Sequence, residues 1–302
     1  MSVDNAVVTD ERRRLVNLAY RMLGSLAEAE DVAQETYARW FAMSDDERNA
    51  IESPGAWLTT VASRICLTVL GSARVRRERY FGEWIPEPLA DGAEWQGGER
   101  GGARPIDPAD RVTLDESVNM ALLVVLDSMT AAERVAFVLH DVFRYSFAEV
   151  AEIVGRSPAA CRKLASSGRR RVGAAKTPPT PKAQRAEIVR KFKKAWEAAD
   201  ISALISLLDP DAIAVADGGG LAVTFVDPIV GREPIARAWV EIAKRATSDM
   251  TVLERTVNGQ PGLVAQQGGV TVTVFAFNIA EDRIKNIWVV RNPEKLRGWP
   301  AA

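Results

Sequence analysis

Histidine is nearly missing from this sequence: His140 is the only one in 302 residues. One imidazole cannot make a poly-histidine metal site, and the C-terminal third, which lacks even that one, holds no histidine-based catalytic triad. Cysteine is scarce as well. Cys66 and Cys161 fall on helical patterns far apart in the chain, so they read as two small packed thiols, a usage that suits a reducing compartment. No apolar run approaches the roughly 18 residues that a membrane helix needs. The opening Ser2-Val3-Asp4-Asn5 lacks the basic and apolar sections of a secretion signal. From these absences we expect a cytoplasmic protein with no metal, no cofactor and no membrane partner.

An excess of charge of one sign is also absent, but only in the total. The net charge is −1, with 26% charged and 47% hydrophobic residues, which describes a soluble globular chain long enough for about two domains. Locally the signs are sorted. From Ile153 to Ala186 there is no acidic residue, and a second basic stretch holds Arg64, Arg74, Arg76, Arg77 and Arg79 against Glu78. Between them, Phe81 to Asp110 is acidic. A basic stripe on a neutral protein points to a nucleic-acid partner that the net charge conceals.

Periodicity divides the chain. Asp10 to about Tyr80 reads as helical, with stops and starts at Gly24 and at Ser53-Pro54. Gly82 to Asp110, rich in Gly and Pro, reads as a linker. Helical patterning returns at Leu114, and Thr130-Ala131-Ala132-Glu133 is a capping box. Thr177-Pro178-Pro179-Thr180-Pro181 is a second, stiff linker. Beyond it come helices at Glu187–Ala199 and Glu233–Arg245, then strands at Gly262–Gln266, Val270–Asn278 and Arg283–Val290. In the middle strand Val272, Val274 and Ala276 alternate with Thr271, Thr273 and Phe275, the pattern of a sheet with one face inside. The limits we expect are 8–80, a linker at 81–110, 111–176, a Pro-rich linker at 177–183, and 184–302.

Phe147 to Ala165 has the spacing of a helix-turn-helix. Val150 and Ala151 face inward, Gly155 makes the turn, Ser157-Pro158 opens the second helix, and Cys161 and Leu164 return to the core. Ser157, Ala159, Arg162, Lys163, Ser166 and Arg170 then lie where a DNA groove can receive them, with Arg169 and Arg171 better placed for phosphates. Gly168 should cost this helix about 1 kcal/mol relative to Ala, which predicts that the helix ends near there.

Residues Ala27 to Trp40 (Ala-Glu-Ala-Glu-Asp-Val-Ala-Gln-Glu-Thr-Tyr-Ala-Arg-Trp) resemble the core-polymerase-binding helix of bacterial sigma factors. Pro54-Gly55-Ala56-Trp57-Leu58 and the helix after it look like their promoter-melting segment, and Leu114 to Val172 like their −35-reading domain. Two helical domains with no large region between them is the arrangement of extracytoplasmic-function (ECF) sigma factors. Trp84-Ile85-Pro86-Glu87-Pro88, Asp217-Gly218-Gly219-Gly220 and Asn292-Pro293-Glu294-Lys295-Leu296 further resemble three signatures of the ECF subgroup with a C-terminal SnoaL-like domain. Ile85 and Glu294 depart from the leucine and aspartate of that pattern.

The resemblance implies a multidomain fold: two all-α sigma domains, a region 2 bundle and a region 4 helix-turn-helix, followed by an α+β cone of NTF2-like, SnoaL-like type. It implies core RNA polymerase and promoter DNA as partners. Asp31, Gln34 and Glu35 would meet the β′ clamp helices, region 4 would meet the β flap, and Arg64, Arg74, Arg76 and Arg77 would hold promoter backbone near −10. Trp84, Pro86, Glu87, Pro88, Asp217, Gly218, Gly219, Asn292, Pro293, Glu294, Lys295 and Leu296 would form a regulatory site acting in cis. Glu87, Asp91 and Glu94 are also read as acids that mimic nucleic acid in a basic polymerase channel.

Two rival readings stay open from the residues alone. A ligand-sensing helix-turn-helix regulator would not need the Ala27–Trp40 helix. A SnoaL-like enzyme fused to a DNA-binding module would need a base, for which Asp217 beside its glycines is the candidate, although a turn aspartate is the commoner reading. Phe192, Trp196, Phe225, Trp239, Phe275, Phe277 and Trp288 suit either a core or the lining of a small-molecule pocket in the C-terminal domain.

Overall fold

Helix ends fall where local chemistry puts them in the computed structural model, which describes residues 3–77, 80–90, 118–175, 180–245 and 247–299. Helix α1 (Val3–Leu23) stops at Gly24, in the left-handed region at φ 73°. Ser25 caps α2 (Leu26–Ala42), accepting from the Glu28 N–H at 3.3 Å, and α2 buries Ala29, Val32, Ala33 and Thr36. Those small residues let it lie close to α1. A capping box of Ser44 and Glu47 starts the short α3 (Asp45–Asn49). Helix α4 (Pro54–Arg77) follows and buries Leu58, Ala62, Cys66 and Leu70.

Helix α5 (Met120–Asp127) precedes α6 (Ala131–Phe137), whose N-terminus is the expected Thr130–Glu133 capping box. A π-helical turn, Val138–Val142, joins α6 toward α7 (Phe147–Val154). Gly155, at φ 69°, makes the turn to α8 (Pro158–Ala175). Helix α8 does not end near Gly168. It runs to Ala175, because Gly168 is where α8 crosses α6: a Cβ there would lie 3.0 Å from the Phe137 Cβ. Ala165 and Gly168 take the buried side of α8, while Leu164, expected inward, is only half-buried.

These helices, apart from Arg77 and Met120–Ala121 at their ends, form one of two compact units; the other holds 80–90 and 180–299. In the first unit Arg134 is 3% exposed, donating to the Met22 carbonyl at 2.9 Å and to Asp127 at 2.8 Å. Among the described residues its Nε finds no partner, and burial lowers its pKa to about 10. A buried, partly satisfied guanidinium is a weak source of net stability.

In the second unit Pro181 precedes α9 (Lys182–Glu197), and the buried Thr180 accepts from the Asp282 N–H at 3.4 Å, so the end of the expected linker is anchored. Then come α10 (Ile201–Leu207), β1 (Leu208–Asp217), β2 (Ile229–Val230), α11 (Arg232–Lys244), β3 (Met250–Val257), β4 (Gln260–Gln267), β5 (Val270–Ala280) and β6 (Arg283–Val290). The sheet order is β2-β1-β6-β5-β4-β3, antiparallel except for the parallel β1–β6 pair. Register shifts at Leu208/Ile213, Ala265/Gln266 and Asn278/Ile279 curve it into a cone. Helices α9–α11 cover its concave side, where Phe192, Trp196 and Trp239 pack against Phe275 and Phe277 of β5, several of them in edge-to-face contact.

The sheet is not one-faced, as the β5 alternation suggested. Thr273 to Phe277 are all buried, and Val264, Val274, Ala276, Trp288 and Val290 are buried on the face away from the helices. Trp288 therefore belongs to the opposite layer from the other aromatics. That layer includes Ile85, Leu89, Leu296 and Trp299, at 1%, 3%, 6% and 9% exposure. No helix among the described residues is long and apolar enough to cross a membrane.

Candidate functional site

The helix-turn-helix presents its outward residues together. Ser157 caps α8, accepting from the Ala160 N–H at 3.2 Å, and Ser157, Ala159, Arg162, Lys163, Ser166 and Arg170 are all exposed on it. The Arg162 guanidinium lies over the Phe147 ring, 5.2 Å from its centroid, which restricts its swing. Arg169 behaves differently. Its Nε pairs with Asp141 at 3.0 Å, and Arg171 lies 3.9 Å from Glu133, so both are partly engaged by the domain's own acids. Burial raises the Asp141 carboxyl, and the Arg169 charge opposes that shift.

On α2, Asp31, Gln34 and Glu35 share the exposed face, with Glu35 paired to Arg39 at 2.8 Å. Phe41 lies further along α2 at 59% exposure, an aromatic that the sequence reading did not single out. Trp57 is half-buried against Trp40, their ring centroids 5.2 Å apart. Arg64 is exposed and donates to the Glu152 carbonyl at 2.9 Å. Arg74, Arg76 and Arg77 lie on the last turns of α4, with side chains outside the described residues.

The first part of the expected linker, the part among the described residues, is a buried strap. Residues 83–89 run extended, and Ile85 to Leu89 are buried. Pro86 and Pro88 have no N–H to satisfy, so a polar path can be closed with few partners. The Ile85 N–H donates to Asp217 Oδ2 at 3.0 Å, and the Leu89 N–H to Asn258 Oδ1 at 3.1 Å. The Asn258 N–H donates back to the Leu89 carbonyl at 2.9 Å, and Ala90 bridges antiparallel to Val257. Glu87 is 9% exposed, which corrects its reading as a free acid for a basic channel; Asp91 and Glu94 lie outside the described residues.

The three expected signatures meet at Asp217, the last residue of β1 and fully buried. Its Oδ1 accepts from the Tyr80 hydroxyl at 2.6 Å and the Gly219 N–H at 3.0 Å. Its Oδ2 accepts from Ile85 N–H and from Lys295 Nζ at 2.6 Å. The ammonium also donates to the Ile85 carbonyl at 2.5 Å and lies 4.3 Å from the Trp84 ring centroid and 5.2 Å from that of Tyr80. Asn292 Nδ2 donates to the Tyr80 oxygen at 2.8 Å, and its Oδ1 caps a 3₁₀ turn, Pro293–Leu296, by accepting from the Glu294 N–H. Burial, then the Asp217 carboxylate, pushes the Tyr80 phenol up.

The glycine run is a consequence of this packing. A Cβ at Gly218 would overlap the Ala222 carbonyl, and one at Gly219, where φ is 60°, would overlap the Asn292 amide. Pro293 and Glu294 themselves are exposed, whereas Asn292, Lys295 and Leu296 are buried. Trp299 closes the tail, its indole N–H donating to the Pro88 carbonyl at 2.9 Å.

Tyr80, Asn258 and Trp299 were not foreseen. Tyr80 and Trp299 stand four and three residues from signatures, and Asn258 opens an Asn-Gly turn, so turn chemistry masked its second use. Apolar burial holds this arrangement together: each fully covered aliphatic side chain such as Ile85 or Leu89 is worth about 1.5–3 kcal/mol. The buried Asp217–Lys295 pair roughly offsets its own desolvation and sets register instead.

A DNA-reading helix-turn-helix, a second helical domain and a strapped cone define a multidomain transcription factor, and comparison with known proteins narrows the class. Residues 7–78 match the family model Sigma-70 region 2, and residues 119–172 match Sigma-70, region 4. The chain is 35% identical to the ECF RNA polymerase sigma factor SigJ of Mycobacterium tuberculosis, over 96% of this chain and 92% of that one. It is 34% identical to the probable ECF RNA polymerase sigma factor SigI of the same species, over 94% and 92% of the respective chains. The crystal structure of M. tuberculosis SigJ aligns with a TM-score of 0.74 at 32% identity, covering 97% of this chain and 98% of that chain. This chain belongs to the ECF RNA polymerase sigma factors, transcription initiation factors whose partners are core RNA polymerase and promoter DNA.

Proposed function

We propose that this sigma factor is regulated in cis by its C-terminal domain, with the strap at 80–90 as the element that domain holds or releases. One observation carries the reading. Asp217 ties together Tyr80 and Ile85 from the strap and Lys295 from the tail, segments more than a hundred residues apart in sequence or at opposite ends of one domain. The strap follows directly on α4, the helix of the proposed −10 contacts, so a held strap constrains the chain leaving region 2.

Within the sigma half the proposed roles follow exposure and chemistry. Ser157, Ala159, Arg162, Lys163, Ser166 and Arg170 serve −35 contact, with Arg169 a weaker phosphate contact because Asp141 engages it. Arg64, Arg74, Arg76 and Arg77 serve the backbone near −10. Asp31, Gln34 and Glu35 meet the β′ clamp helices, region 4 meets the β flap, and the working limits remain 8–80, 111–176 and 184–302.

Deleting residues 291–302 is the test. It removes Asn292, Lys295 and Trp299 and leaves every sigma helix in place. With purified core polymerase, the truncated chain should give a changed level of promoter-specific transcript. Equal transcription from both chains would reject regulation in cis.

A further inference from the structure

The Lys295 ammonium is held by groups that other segments of the chain supply. We infer that the cluster of Tyr80, Trp84, Ile85 and Asp217 is a binding site for primary organic ammonium ions, filled in this form by the chain's own Lys295. The inference rests on the strap being the regulatory element, and it names the ligand class that would act there.

The walls suit an ammonium ion. Asp217 is fully buried and presents Oδ2 at 2.6 Å, the Ile85 carbonyl lies at 2.5 Å, and the Trp84 and Tyr80 rings stand at 4.3 and 5.2 Å from Nζ. A carboxylate with aromatic faces is how proteins capture alkylammonium groups. Two acceptors at hydrogen-bond distance require at least two N–H bonds, which a primary ammonium has and a quaternary one lacks.

The carboxylate has donors besides Lys295. The Tyr80 hydroxyl and the Ile85 and Gly219 N–H groups all donate to it, and none comes from the tail. The occupant alone is carried on a four-residue 3₁₀ turn near the chain end. With the lysine withdrawn, a buried anion would remain that requires a cation. A tethered lysine competes at an effective concentration of about millimolar or more, so a free amine must reach that range, or enter when the tail has left.

The experiment is chemical rescue of the full-length Lys295→Ala chain with ethylammonium chloride. Strap docking is read as resistance to proteolysis between residues 77 and 90, and activity as transcription with core polymerase. The variant should lose protection by about tenfold or more, and ethylammonium at about millimolar to tens of millimolar should restore it. Tetramethylammonium and sodium at equal concentration should not, and Asp217→Asn/Lys295→Ala should show no rescue. Equal effects of ethylammonium, tetramethylammonium and sodium would overturn the site.

If Lys295→Ala does not fold alone, the same comparison is made on the yield of folded chain when each salt is present during refolding. Amine-specific recovery supports the site, and amine-independent failure overturns it. Amine-restored docking with transcription unchanged throughout would uphold the site and reject regulation through the strap. Altered transcription without amine rescue would do the reverse.

Discussion

Asp217 receives all its stabilisation from four donors, since water does not reach it. Removing one member of a buried ion pair leaves the other uncompensated, at about 3–5 kcal/mol, whereas removing both leaves no lone charge. Asp217→Asn and Lys295→Met should each cost about that much in urea unfolding, and the double variant should cost well below the sum. Additive costs would show that the pair is not coupled. Asp209 offers a pH test elsewhere in the same unit. The Lys285 ammonium, 2.5 Å away, holds its carboxyl below the ordinary 3.8. A depressed folded pKa contributes stability that is present above 3.8 and lost as pH falls through the folded value. Asp209→Asn should therefore be less stable than the parent at neutral pH, with the gap closing in acid. Unfolding measured across pH checks it, and a constant gap would contradict it.

At the scale of elements, the crossing of α8 over α6 turns on Gly168. Alanine there would gain about 1 kcal/mol in helix propensity. Its Cβ would sit 3.0 Å from the Phe137 Cβ, an atom that cannot swing away, so the helices must separate. Gly168→Ala should lower the melting temperature, and a rise would refute the close approach. On the outer face of α8, Arg162→Ala and Lys163→Ala should each cost the holoenzyme about 1–3 kcal/mol at one base pair of the −35 element. Arg169→Ala should cost less, and equally on every sequence. Binding to single-substituted promoters separates the two.

The helical elements were legible because capping boxes, Gly155 and 3.6-residue periods announce them. Strand β3 was not: Met250-Thr-Val-Leu-Glu-Arg-Thr-Val is mostly polar or half-exposed, and its one loud signal is the Asn258-Gly259 turn that ends it. The strap was legible as a motif but not as buried structure. Two prolines in five residues erase any period, and apolar residues at 85 and 89 acquire meaning only from the sheet that covers them. The convergence on Asp217 is tertiary, so the sequence could name its parts and not their hydrogen bonds.

For the whole molecule, the sheet carries the strap and the tail on the face that a solitary cone would leave to water. The aromatics readable as a pocket lining pack on the helix side, Trp288 excepted, and the strap and tail close the other side. In the proposed regulation, release of the strap is what links this to transcription. The direct measurement is a paired series on full-length chain, Trp299→Ala, Lys295→Met and the 291–302 deletion, scoring strap proteolysis and promoter-specific transcription with core polymerase in the same preparations. The account predicts that transcription shifts in step with strap release, the deletion furthest from the parent. Strap release across the series with transcription unchanged would contradict it.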